Sequence, residues 1–303
     1  MRKPNFFLVG APKCGTTAMY QFLSQHPDIF LPESKEVHFF GRDLYSPNYS
    51  RDLKKYLSLF AGATNEKQVG EGSVWYLYSR LASSEIKEFC PAASILVMLR
   101  NPVDMIYSLH AHRLYINSED IEDFAEALNA EPVRKQGLRL PANPYPIAGL
   151  FYREVAKYTD QVKRYFDAFG REQVKVILYD DFKVDPAGAC REVFSFLGVL
   201  PSFPLRISVI NASKRIRSKT LASFLDPPPP LARKLARALT SSETRHKLFQ
   251  TARGLNTEHG PRQPLPADLK RQLQREFAPD VDRLSELLGR DLWHWCRPAD
   301  EED

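Results

Sequence analysis

Residues 5–17 read Asn-Phe-Phe-Leu-Val-Gly-Ala-Pro-Lys-Cys-Gly-Thr-Thr. An apolar run ends at Gly10, a tight loop follows, and Thr16 and Thr17 open a helical pattern. Strand, glycine-bounded loop and helix, in that order, make a phosphate cradle, because backbone N–H groups and the positive end of the helix dipole converge on an anion. Gly10 and Gly15 have the spacing of the nucleoside-triphosphate loop G-x-x-x-x-G-K-[ST]. Thr16 stands where that loop carries its lysine, and the lysine has moved inside the loop as Lys13. The pattern suits a phosphate-like group and departs from a magnesium–nucleotide site.

Outward from this stretch, apolar strand-like runs recur at 67–71, 94–99 and 173–179, with amphipathic helical stretches at 50–60, 102–116 and 149–169. Short β-branched-rich runs separated by helices predict an α/β fold, a P-loop-like parallel sheet with helices on both faces. Ligands of such sheets bind beyond the carboxyl ends of the strands, where Gly10, Glu71, Arg100 and Asp180-Asp181 fall. The segment 131–147 is rich in proline and glycine and reads as a long surface loop. Four consecutive prolines at 227–230 make a stiff connector over 226–230. Beyond it, 231–262 is basic and polar, and the helical period returns over 264–289 with Gly289 as its stop. The whole is expected to be a single domain over 1–303, with its core at about 5–225 and a helical C-terminal extension at 231–297.

The chain has 303 residues, 43% of them hydrophobic, and a net charge of +5, which suits an anionic ligand and falls short of a nucleic-acid-binding signature. Its four cysteines, Cys14, Cys90, Cys190 and Cys296, form no C-x-x-C pair, so no zinc or redox site is indicated and a reducing, cytoplasmic setting is expected. No run approaches the ~18 apolar residues of a membrane span. The start lacks the long apolar core of a signal peptide, and cleavage there would remove the phosphate loop.

Three segments together resemble one family. Pro12-Lys13-Cys14-Gly15-Thr16-Thr17 is similar to the 5′-phosphosulfate loop of sulfotransferases that use 3′-phosphoadenosine 5′-phosphosulfate (PAPS). Arg100-Asn101-Pro102-Val103-Asp104, with Ser108 eight residues after the arginine, resembles the element that holds the 3′-phosphate of that donor. Lys35-Glu36-Val37-His38-Phe39-Phe40 resembles the KE-x-HFF element of the heparan sulfate branch, in which the glutamate is the general base. The resemblance runs from Phe6 to about Trp295, including the ending Gly289-Arg290-Asp291-Leu292 and Trp295, and is weakest between Asp226 and Pro266. It implies PAPS as donor, 3′,5′-ADP as product, no required metal, and a small-molecule or carbohydrate acceptor. It also implies that Lys214, Arg215 and Arg217, in a basic loop at 211–217, close over the donor. Two departures stand out. Gly72 and Val74 replace the lysine and proline of the family's E-K-[ST]-P-x-Y pattern, and Arg215 stands where the heparan sulfate branch has glycine.

The residue chemistry agrees with these roles. Sulfuryl transfer needs charge stabilisation at the leaving phosphate, a deprotonated acceptor and in-line alignment. Lys13 can stabilise the leaving group, Gly15 permits close backbone approach, and Thr16 and Thr17 offer hydroxyls and first-turn amides. Cys14 contributes its backbone N–H. Arg100 suits a phosphate through its forked donors, and joins Ser108 on one phosphate only if the strand end folds against the following helix. Glu36 is the candidate base, its pKa expected to rise among Val37, Phe39 and Phe40. In an extended segment His38 would share its face, to orient it or replace it, and Lys35 would point away. His110 is a further candidate base, and Trp75 and Tyr76 are candidates for stacking or for the core. A P-loop kinase or NTPase, and a non-catalytic nucleotide-binding protein, are the rival readings. The displaced lysine and the strand ending in Arg100 instead of an acid weigh against the first, and the intact candidate base weighs against the second.

Overall fold

The computed structural model describes residues 2–207 and 263–297, together with the backbone of two short strands at 214–216 and 257–259. Its centre is a five-stranded sheet in the order β2-β3-β1-β4-β5. The strands are β1 (Phe6–Gly10), β2 (Ile29–Phe30), β3 (Gln68–Gly72), β4 (Ser94–Leu99) and β5 (Val174–Leu178). Every pairing is parallel, with Phe7 opposite both Glu71 and Ile95, and Val97 opposite Val176. All five β1 residues are buried, as a central strand covered on both faces requires. Four of these strands coincide closely with the apolar runs of the sequence. β2 is the exception, since two residues are too short for a periodic signal.

Among the described residues the helices run from 4 residues to 22. They are α1 (Thr16–Leu23), α2 (Leu53–Ser58), α3 (Ala82–Phe89), α4 (Pro102–Tyr115), α5 (Phe124–Asn129), α6 (Glu131–Arg134), α7 (Tyr152–Val155), α8 (Thr159–Phe169), α9 (Tyr179–Val184), α10 (Pro186–Phe196) and α11 (Ala267–Leu288). The stretch 149–169, expected as one helix, is three pieces: a 3-10 turn at Ile147–Leu150, then α7, then α8. Phe151 leaves helical geometry at φ −100°, ψ 65°. The Gln161 amide donates to the carbonyls of Glu154, Val155 and Lys157, which satisfies the end of α7 from the side. α11 ends as expected at Gly289, left-handed at φ 63°.

The chain divides into two compact units, one of Met1–Leu109, Tyr145–Ile210 and Leu265–Asp303, the other of His110–Pro144 and Asn211–Pro264. In the first, the C-terminal ending is tied down by name. Trp295 is buried and donates its indole N–H to Asp180 at 2.6 Å, the Asn101 amide donates to the Trp295 carbonyl, and Arg290 forks onto Asp181. Asp180 and Asp181 therefore lie in α9 and hold this ending. In the second unit the expected surface loop 131–147 begins with α6, whose Glu131 and Arg134 are buried. Arg134 meets Glu119 through two charge-assisted bonds of 2.6 and 2.7 Å, both side chains fully buried. Two buried charges this well paired resist separation, because losing either leaves the other unsolvated. The segment 211–217, expected as a loop, contains β6 (Lys214–Ile216), antiparallel to β7 (Thr257–His259). β7 lies inside the basic and polar stretch of the expected helical extension. Arg217 and the proline connector lie outside the described residues.

Candidate active site

The cradle begins where β1 ends. Gly10 backs directly onto the turn after β3: a side chain there would meet Leu77 at 2.6 Å and the Val74 carbonyl at 2.9 Å. Lys13 and Gly15 are both left-handed, at φ 61° and 84°, a local geometry of the kind from which anion-binding nests are built. Gly15 is also the N-cap of α1 and has no side chain to accept from the first-turn amides. An anion suits the positive end of such a helix. Thr16 is buried, whereas Lys13 and Thr17 are half-buried. Cys14 is fully buried, and its thiol is pushed up to about 12 by burial, against the opposing charges of Arg100 and Lys13. A thiol so buried and so weakly acidic is a poor nucleophile. Arg100 is thus within electrostatic reach of the loop, and its guanidinium lies over the Tyr179 ring at 4.8 Å and bonds Asp104. Ser108 is buried on α4, two turns along.

The segment 35–40 is not extended. Glu36 and His38 are left-handed, at φ 65° and 51°, a cost of about 1–2 kcal/mol for each residue with a Cβ. Such strain persists only where neighbours over-determine it, and they do. The Glu36 N–H donates to the Gly72 carbonyl at 2.8 Å, the His38 N–H to Ser73 Oγ at 2.9 Å and the Phe40 N–H to the Tyr76 hydroxyl at 3.1 Å. Phe39 stacks on Tyr56 with 4.2 Å between ring centres, and Phe40 meets Phe7 edge-on. Arg51 donates to the carbonyls of His38, Phe39, Phe40, Gly41 and Leu44.

Glu36 and His38 do meet, with His38 Nε2 3.2 Å from Glu36 Oε2. The bond makes Nε2 the protonated nitrogen, and the buried Nδ1 has no partner among the described residues. The contact suits a histidine that orients Glu36. Two expectations fail here, both through the left-handed turn at Glu36. Lys35 does not point away: its ammonium contacts Glu36 Oε1, and its stem passes 3.4 Å from where a Gly72 side chain would begin. Nor is the Glu36 pKa raised. Burial pushes it up, but the His38 hydrogen bond and the Lys35 charge outweigh burial and bring it down to about 2. The Val74 N–H completes the carboxylate's contacts at 3.0 Å.

Glu71 is the penultimate residue of β3, at its carboxyl end as expected, and is fully buried. Burial, joined by the charge of Glu36, raises its carboxyl to about 8 against the opposing hydroxyls of Tyr76, Tyr56 and Ser73. Trp75 and Tyr76 are buried core residues. His110, in the second unit, is buried against Phe124 and donates to the Ile121 carbonyl at 2.8 Å, while burial lowers its pKa. That is the setting of a structural histidine. Sequence reading missed Arg51, whose hydrogen-bond acceptors are all backbone carbonyls. Among the described residues no group of three or more His, Cys, Asp or Glu side chains could hold a metal, and no helix is long and apolar enough to cross a membrane.

A parallel sheet whose first strand feeds a glycine-bounded loop at a helix start, with a carboxylate held against the next strand's end, suits a phosphate-like ligand. The comparisons narrow the class. Residues 3–215 match the family described as "Sulfotransferase domain", and the chain belongs to that family. It is similar to human bifunctional heparan sulfate N-deacetylase/N-sulfotransferase 3, 31% identical over 211 residues covering 67% of this chain and 23% of the relative. To the mouse protein of the same name it is 28% identical over 292 residues, 90% of this chain and 32% of the relative. The chain thus spans about a quarter to a third of these relatives. The crystal structure of a sulfotransferase from Alicyclobacillus acidocaldarius matches with a TM-score of 0.74 and 34% identity, over 98% of this chain and 100% of that one.

Proposed function

We propose that this sulfotransferase moves a sulfuryl group from PAPS to a hydroxyl or amine of a small-molecule or carbohydrate acceptor, leaving 3′,5′-ADP. The donor supplies an activated sulfur–oxygen bond. The bond from sulfur to the phosphate oxygen breaks, a bond from sulfur to the acceptor atom forms, and the acceptor proton passes to Glu36. Lys13 is assigned the charge that builds on the leaving phosphate. Gly15, Thr16, Thr17 and the backbone of Cys14 bind its oxygens. Arg100 and Ser108 take the 3′-phosphate, and Lys214, Arg215 and Arg217 cover the donor. Sulfuryl oxygens carry less charge than phosphoryl ones, so no divalent metal is assigned. The likeness to heparan sulfate N-sulfotransferases supports a carbohydrate acceptor.

One observation carries the reading. Val74 joins both halves of the site, its N–H holding the Glu36 carboxylate at 3.0 Å while its carbonyl abuts Gly10 at the mouth of the cradle. Base and anion nest are thereby fixed to the same turn. A base with a pKa of about 2 accepts protons poorly at neutral pH. An anionic donor offers Lys35 another partner, and once the ammonium leaves Glu36 the carboxylate gains basicity. We assign Lys35 that exchange.

The units interleave along the chain, in keeping with one sulfotransferase domain over 1–303, and the four free cysteines accord with a cytoplasmic setting. Thermal shift tests the donor assignment. 3′,5′-ADP without metal is expected to raise Tm. A rise with Mg-ATP and none with 3′,5′-ADP would replace this reading with the kinase one.

A further inference from the structure

Arg51 is a cation that spends its donors on backbone. Its Nη1 lies 2.7, 2.5 and 2.8 Å from the carbonyl oxygens of His38, Phe39 and Phe40, and its Nη2 lies 2.9 and 3.1 Å from those of Gly41 and Leu44. Successive carbonyls can converge on one point only if the chain curls around it, and the left-handed residues at Glu36 and His38 begin that curl. A planar fork of N–H donors matches such a ring of acceptors, and an ammonium does not. The guanidinium also lies against Tyr49, at 5.8 Å from the ring centre, and Tyr49 packs on the His38 ring at 4.4 Å. Arg51 therefore grips the backbone of the segment that carries the candidate base, and through Tyr49 it backs the imidazole that orients that base.

We propose that Arg51 is a positioning residue for sulfuryl transfer: it holds the 36–44 loop in the curled form that presents Glu36 and His38, and it touches neither donor nor acceptor. The proposal rests on the acceptor-side role assigned to Glu36. A misplacement of about 1 Å at a reacting group costs on the order of 10²-fold in rate. Arg51→Ala is expected to lower kcat by roughly 10–100-fold, to leave the affinity for 3′,5′-ADP within about twofold of wild type as expected for a group that does not bind the donor, and to speed amide exchange across 36–44. Added guanidinium should restore part of the activity of Arg51→Ala and none of Glu36→Gln. The double variant should be no slower than Glu36→Gln alone, because one group acts through the other.

Wild-type kcat in Arg51→Ala overturns the proposal, as does loss of 3′,5′-ADP affinity in step with kcat. If Arg51→Ala does not fold, Arg51→Lys carries the test. It should fold, bind 3′,5′-ADP normally and turn over slowly, and full activity in it overturns the proposal. Failure of the base assignment has a different signature. Glu36→Gln would then be active while Arg51→Ala still shows fast exchange at 36–44.

Discussion

Glu36 is held by three different kinds of donor, an ammonium, an imidazole and a backbone amide. Glu36→Gln keeps the size and loses the proton acceptor, so kcat on an alcohol acceptor should fall ~10²–10⁴-fold, with 3′,5′-ADP affinity, read by calorimetry, unchanged. An alcohol is required because a phenol sheds its proton with little help. Lys35→Met probes the ion pair. Its ammonium helps hold the carboxylate down at about 2, so its loss should raise the Glu36 pKa and move the acid limb of the kcat/KM profile to higher pH. An unmoved limb would mean that Lys35 does not tune this group. At this scale the sequence was legible in identity and illegible in direction. Lys35, Glu36 and His38 stand out by type, but the left-handed turn that folds Lys35 back is written in no residue. Glutamate and histidine are ordinary choices for extended chain, and the turn is imposed by Arg51 and by the β3 end.

The cradle depends on one element boundary. Gly15 must be left-handed to start α1, and a side chain there would meet Tyr179 at 2.9 Å. Gly15→Ala should therefore cost about 1–3 kcal/mol in urea unfolding and weaken 3′,5′-ADP binding at least as much in proportion, since Tyr179 also carries Arg100 on its face. Unchanged binding would detach the nest from the anion. The strands around this boundary were readable because a parallel sheet buried on both faces needs unbroken apolar runs: Phe-Phe-Leu-Val and Ser-Ile-Leu-Val-Met-Leu admit little else. The stretch 149–169 was not readable. Its helical period is real, but Gln161 side-chain bonds make a break stable that propensity alone would not place.

Over the whole molecule, two coupled carboxyls pull stability in opposite directions with pH. Glu36, depressed to about 2, adds stability above its unfolded pKa near 4.5 and loses it as pH falls toward 2. Glu71, raised to about 8, adds stability that is complete below 4.5 and is lost as pH climbs to 8. Glu71, fully buried, changes stability by up to about 1.4 kcal/mol per pH unit within its window, whereas Glu36 is partly open to solvent, which screens its share. Glu71→Gln mimics the protonated acid. Its Tm should match wild type near pH 4.5, gain on wild type steadily to pH 8, and run parallel above it. A constant offset across that range would show that Glu71 does not titrate on folding.

The thiol of Cys14 sits at the floor of the cradle, fully buried and with a pKa of about 12. Alkylating reagents attack thiolates, so a folded molecule withholds this sulfur, while the half-buried Cys90 and Cys296 are nearer to hand. Each modification of Cys14 then records one excursion in which the loop has lifted off the sheet. The residue that chemistry leaves idle becomes a clock: its labelling rate counts how often the anion nest comes apart, and a ligand that seals the nest will slow the count.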